Sequence, residues 1–168
     1  MKTKFLVIAI ASMLLSTSCK NDKKTEEATD KPAVKENFSL EMDVVASKSD
    51  NFTLYYTEDN TTAFTGLMAA WKGVKGGNVE EKVLFELSGE IIPTDIRLDF
   101  GLNKQQEFVQ VNNVKIIYYG KELTFKGSDF FNWFIIDNRF KSEIDATKGT
   151  IKFIKSGSEY ITPYYYPR

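Results

Sequence analysis

The chain has 168 residues, with 22 basic and 23 acidic side chains and a formal net charge of −1. It has no histidine and a single cysteine, which excludes histidine-based catalysis, an intramolecular disulfide and a cysteine zinc site. The balanced charge argues against nucleic-acid binding, which needs a cluster of basic side chains. Aromatic residues make up 14% of the chain, too many for a protein that is disordered throughout.

Residues 1–18 have the pattern of a secretory signal peptide. Lys2 and Lys4 precede an apolar run from Phe5 to Leu15, and small polar residues follow that run. The run is too short to cross a bilayer as a helix, so we expect a cleaved signal peptide rather than a transmembrane segment.

Cys19 stands directly after this segment. The arrangement resembles a bacterial lipoprotein signal of the Bacteroidota type, although Leu15 lies four residues before the cysteine rather than three. The resemblance implies that Cys19 becomes the lipidated N-terminus and that several acyl chains hold the protein stably at the membrane. Lys20, in the place of an aspartate, implies the outer membrane, with the periplasmic or the surface face left open. The alternative is an ordinary secreted protein with one unpaired cysteine.

Residues 19–37 are predicted to be the lipidated cysteine and a flexible tether. Lysines and acidic residues dominate this stretch, which contains one proline and no aromatic residue. It lacks the apolar surface that would offset the entropy lost on ordering.

From Phe38 onward the sequence changes to short stretches in which apolar and polar residues alternate. We predict strands at 38–45, 52–57, 69–75, 81–87, 95–100, 107–118, 121–126 and 150–155, with an aromatic tail at 160–166. The alternation is clearest at 95–100, where one face carries Ile96, Leu98 and Phe100 and the other carries Asp95, Arg97 and Asp99. Asn112 and Asn113 indicate a bulge in the longest strand.

A helical turn is predicted within 128–136, capped by Ser128, and a turn at 144–149. The helical turn is expected to cover one end of the fold with Phe130, Phe131, Trp133 and Phe134. The predicted fold class is all-β: residues 38–168 form a two-sheet antiparallel β-sandwich with this one helical turn.

Two resemblances support that fold. Residues 96–101, followed by 109–116, resemble the late strands of jelly-roll carbohydrate-binding modules. Residues 52–57, 71–76, 92–101 and 130–134 resemble an uncharacterised β domain of Bacteroidota envelope proteins. The resemblances imply a jelly-roll-like sandwich that binds glycan or polysaccharide.

The predicted ligand-binding residues are Trp71, Tyr56, Asp95, Arg97 and Asp99. Flat rings stack on the apolar face of a sugar, and charged side chains bind its hydroxyls. Trp71 lies among small residues and is expected to project from its strand. Tyr55 and Tyr56 are adjacent, so one of them faces outward, and we choose Tyr56. There is an alternative for each group. The aromatic rings could pack in the core, and the charged residues of 95–99 could form a salt-bridged surface exposed to solvent.

Without histidine, catalysis requires a pair of carboxylates such as Glu86 and Glu90 or Asp95 and Asp99. Neither pair carries a burial signal that separates the two pKa values, so we expect no enzymatic activity. No cofactor and no metal are expected, because the oxygen-rich loops 58–60 and 112–113 lack an ordered set of calcium ligands.

Two functions remain open. The leading hypothesis is a lipid-anchored protein of the cell envelope whose sandwich binds polysaccharide. The alternative is a structural or accessory lipoprotein that docks on a partner envelope protein through strand edges or the aromatic tail.

Overall fold

Residues 37–137, 142–154 and 163–168 are described by a computed structural model. They all belong to the unit Pro32–Arg168. The predicted signal peptide, Cys19 and the tether up to residue 36 lie outside the described residues, as do residues 160–162 of the predicted tail.

The described residues form eleven strands and one helical turn. The strands are β1 Ser39–Ala46, β2 Asp50–Thr57, β3 Ala69–Val74, β4 Glu80–Glu86, β5 Asp95–Asp99, β6 Phe108–Tyr118, β7 Lys121–Lys126, β8 Phe134–Ile136, β9 Ser142–Asp145, β10 Thr150–Phe153 and β11 Tyr164–Pro167. The turn is α1, Phe130–Trp133, and a 3₁₀ turn, Gly127–Asp129, precedes it.

Two antiparallel sheets are stacked into a sandwich, so the all-β prediction is confirmed. The first sheet has the order β4-β1-β6-β10-β9, and β7 also pairs with β6. The second sheet has the order β3-β2-β5-β11-β8. The predicted tail is in part a strand, because β11 pairs with β5 on one side and β8 on the other. The turn predicted at 144–149 is shorter than expected, since β9 continues to Asp145.

The predicted bulge is present in β6. Asp43 pairs with Asn113 and Val44 pairs with Val111, so Asn112 is the extra residue. A regular strand would turn Val111 and Val114 to opposite faces, because side chains alternate with period two. The inserted residue lets both of them face the core, where both are buried.

Aromatic rings fill one part of the core. Phe130 stacks on Phe134 with 4.8 Å between ring centres, and its ring also contacts Phe100 and Tyr165. The predicted helical turn is confirmed as α1. The predicted cap by Ser128 is wrong, because the chain enters α1 through the 3₁₀ turn and no side chain caps α1. Trp133 is 45% exposed and lies against Phe125.

Candidate ligand-binding face

The outward face of the second sheet brings most of the predicted site residues together. Arg97 pairs with Tyr55 across β5 and β2, and Asp99 pairs with Tyr164 across β5 and β11. Directly paired residues point to the same side of a sheet. Trp71 joins the same face from β3 by pairing with Thr53, which in turn pairs with Asp99.

Arg97 lies at the centre of this face. Its Nε donates to Asp99 Oδ1 at 2.8 Å, and its Nη2 donates to Oδ2 at 2.9 Å. Its guanidinium carbon lies 4.2 Å from the ring centre of Tyr55 and 4.6 Å from that of Tyr164. Two aromatic rings and a bidentate carboxylate therefore hold the guanidinium in one orientation.

Phe64 extends the ring of aromatic residues around Arg97. It comes from residues 58–68, between β2 and β3, and its ring centre lies 5.5 Å from the guanidinium carbon. It also lies 5.9 Å from the ring centre of Tyr166 on β11. We call the following set the aromatic platform: Tyr55, Phe64, Trp71, Tyr164 and Tyr166, with the Arg97–Asp99 pair at its centre.

Trp71 is the most open ring of the platform. Its side chain is 48% exposed, because its neighbours on the same face of β3 are Ala69 and Gly73, which carry almost no side chain to cover it. Its ring meets Tyr55 edge to face, with 6.1 Å between centres and 70° between planes. The structure thus places Trp71 outward, as expected.

Asp99 is 8% exposed although it lies on the outward face. Burial raises the pKa of its carboxyl to about 6, while the hydrogen bonds and the charge of Arg97 act in the opposite direction. At neutral pH the group is therefore mostly ionised and paired with Arg97.

The choice of Tyr56 is not supported by its position, because its side chain packs against the core cluster and Tyr55 takes the outward place. Phe52 and Leu54 on the same strand are both buried, and period two puts Tyr56 on their side. The signal was present in the sequence, where Phe52, Leu54 and Tyr56 form one apolar row. Nothing local in the sequence pointed to Phe64 or to the position of Tyr164.

Asp95 lies at the other end of β5 and is half-buried. It borders a cleft of about 910 Å³ at one end of the sandwich, next to the platform residues Phe64 and Tyr166. Among the described residues, the Asp95 carboxylate makes no hydrogen bond or ion pair. Tyr118 stands on another wall of the cleft and donates a hydrogen bond to the carbonyl oxygen of Pro93 at 3.3 Å.

In the described ranges, no three acidic or cysteine side chains are grouped so that they could hold a metal ion. The same ranges contain no helix with the length and apolar character needed to cross a membrane.

Comparisons of the chain with protein-family models, with curated proteins and with solved structures found no match. The functional assignment therefore depends on the chemistry of the platform and the cleft beside it.

Proposed function

We propose that this protein is a non-catalytic glycan-binding lipoprotein of the cell envelope, held at the outer membrane through Cys19. The aromatic platform is its binding surface. The observation that carries the proposal is the exposed ring of Trp71, which shares one sheet face with Tyr55 and with the fixed Arg97–Asp99 pair.

The platform combines the two kinds of contact that a sugar needs. The open face of Trp71 offers a surface for the C–H groups of a pyranose ring. Arg97 has five N–H donors and uses two of them on Asp99, so donors remain for hydroxyl oxygens. Asp99 is buried, so its carboxylate orients the guanidinium and is not itself open to a ligand.

Preorganisation favours binding at this face. Trp71, Tyr55 and Arg97 all stand on strands, and the guanidinium is already fixed by its ring contacts. A site with fixed side chains loses less conformational entropy when a ligand binds. Because the rings of Trp71 and Tyr55 are 70° apart, they suit single glycan chains rather than the flat surface of a crystalline polymer.

The placement of the acidic residues supports a binding role over hydrolysis. Asp95 and Asp99 are four residues apart on one strand, a separation of about 13 Å from the rise of a strand. Carboxylate pairs in glycosidases are closer, at roughly 5–9.5 Å. Asp99 is also engaged in an ion pair with Arg97.

Affinity electrophoresis of the full-length protein through gels that contain soluble polysaccharides tests this function. We expect at least one polysaccharide to retard the wild type and Trp71→Ala to abolish the retardation. Trp133→Ala is the matched control, because Trp133 is 45% exposed but lies against Phe125 and is not part of the platform. Migration unaffected by every polysaccharide, or equal effects of the two tryptophan variants, contradicts the proposal.

Docking on a partner protein is the second candidate. β3 ends the second sheet and pairs only with β2 among the described strands, and Leu67 just before it is 96% exposed. An unpaired strand edge beside exposed apolar side chains suits the addition of a partner's strand. Cross-linking in intact membranes separates the two functions: docking requires a defined cross-linked partner, and recovery of the protein alone contradicts it.

A further inference from the structure

The cleft at the end of the sandwich shares a wall with the aromatic platform. Phe64 and Tyr166 belong to both, since Phe64 lies over Arg97, Tyr166 lies against Phe64, and both residues line the cleft. β5 connects the two regions directly, with Asp99 beneath the platform and Asp95 at the cleft. The platform and the cleft are therefore one continuous surface.

The length of this surface exceeds one sugar ring. The distance from Asp99 to Asp95 is about 13 Å along the strand. A ligand that touches both ends has to be a chain of several sugar units.

The cleft repeats the chemistry of the platform. Tyr118 supplies a partly exposed ring, which the buried ring of Phe38 supports edge to face at 6.3 Å. The half-buried Asp95 carboxylate offers acceptor positions for hydroxyl groups, because no described residue donates to it. Asn60 stands at the rim, and its position is fixed by a 3.0 Å hydrogen bond from its backbone N–H to Thr94 Oγ1.

We propose that the cleft is a second subsite for the same glycan chain, and that the ligand is a linear oligosaccharide segment lying along β5 from Trp71 to Tyr118. This inference rests on the glycan-binding function proposed above. It specifies the length of the ligand, and it identifies residues that contact the ligand only when the glycan chain is long.

Calorimetric titration with matched short and long oligosaccharides tests the inference. The probes are the disaccharide and the hexasaccharide of the cello-, xylo- and manno- series. In at least one series we expect the hexasaccharide to bind the wild type at least tenfold more tightly than the disaccharide does.

Tyr118→Ala should bring the affinity for the hexasaccharide down towards that for the disaccharide and leave disaccharide binding unchanged. Trp71→Ala should weaken the binding of both probes. Asn60→Gly is a second variant that keeps the left-handed backbone at φ 57° and removes the amide, so it tests the cleft even if Tyr118→Ala folds poorly. Ile144→Ala, on β9 of the first sheet, is the control for an exposed apolar residue.

The outcomes separate the two proposals. If the two probes bind equally, or if neither cleft variant changes hexasaccharide binding, the second subsite is disproved while the platform function stands. If no oligosaccharide binds and no polysaccharide retards the protein, both proposals are wrong.

Discussion

Arg97 donates two hydrogen bonds to Asp99, its neighbour on the same face of one strand, at 2.8 and 2.9 Å. Ion pairs at an exposed surface contribute little to stability, because water screens them. This pair differs because the rings of Tyr55 and Tyr164 lie over the guanidinium and Asp99 is buried. Removing either partner would leave a buried charge without compensation.

The first prediction concerns the pH dependence of stability. Burial raises the pKa of Asp99 from 3.8 to about 6 in the folded protein, so between these two values the folded state binds more protons than the unfolded chain. The contribution of Asp99 to the free energy of unfolding therefore falls as the pH rises from about 4 to 6, by about 3 kcal/mol in total, and is constant above that range.

Urea denaturation of the wild type and of Asp99→Asn at several pH values between 4 and 7 measures this contribution, because asparagine does not titrate. The free energy of unfolding of the wild type, relative to that of the variant, should decrease across the range. A constant difference would mean that Arg97 offsets burial, and a difference that increases with pH would mean that Arg97 outweighs burial; either outcome contradicts the raised pKa.

The second prediction separates the two adjacent tyrosines. Tyr56→Ala removes a ring that packs against the core, so it should lower the free energy of unfolding by about 2 kcal/mol and leave the proposed glycan binding intact. Tyr55→Ala removes a ring of the platform, so it should weaken glycan binding at least tenfold and cost about 1 kcal/mol of stability through the lost contact with Arg97. Denaturation curves and gel retardation of both variants make the comparison; the reverse pattern would place the binding face on the other side of β2.

A third prediction concerns Gly127, at the point where β7 and β10 meet along the same edge of β6. A Cβ atom on Gly127 would lie 1.6 Å from the carbonyl oxygen of Val111. Gly127→Ala should therefore lower the free energy of unfolding by about 3 kcal/mol or more, since backbone rather than a flexible side chain must move. Gly66→Ala is the matched control: its Cβ would meet nothing within 4 Å, and a change below about 0.5 kcal/mol is expected. Similar denaturation midpoints for the two variants would contradict this packing.

The fourth prediction concerns Asp50, the first residue of β2, which holds the loop that follows β5. Its Oδ1 accepts a hydrogen bond from the backbone N–H of Leu102 at 2.8 Å and another from that of Asn103 at 3.1 Å. Asp50→Ala leaves these donors without their acceptor and should cost about 1–3 kcal/mol. Asp59→Ala is the control, because the Asp59 carboxylate accepts from Thr61, two residues on, and from no other described residue, so its loss should cost less. Equal thermal stability of the two variants would show that Asp50 does not hold this loop in place.

The alternation of apolar and polar residues predicted the sandwich. The side of the sheet to which a side chain points depends only on its position along the strand, so the local sequence determines it. The alternation placed Ile96 and Leu98 inward and Arg97 outward, and the structure confirms each of these positions. The paired asparagines predicted the bulge for a similar reason, since the apolar residues of β6 change their facing there.

Strand order depends on contacts between distant residues, and the local pattern contains no information about it. Nothing in the sequence around Tyr164 indicates that it pairs with Asp99. Nothing in the sequence around Phe64 indicates that it contacts Arg97 from a loop. The platform therefore could be predicted only in part: Trp71 and the charged row of β5 were found, and the rings that β11 and the loop contribute were not.

The place of β11 between β5 and β8 has a consequence for the order of assembly. A nascent chain that has not yet reached residue 164 lacks the strand that joins these two. It also lacks the buried ring of Tyr165, which contacts the rings of Phe100 and Phe130. Such long-range closure is slow compared with hairpin formation. In a refolding experiment, the native arrangement of the aromatic platform should accordingly return in the last kinetic phase, after the β6–β7 hairpin has formed.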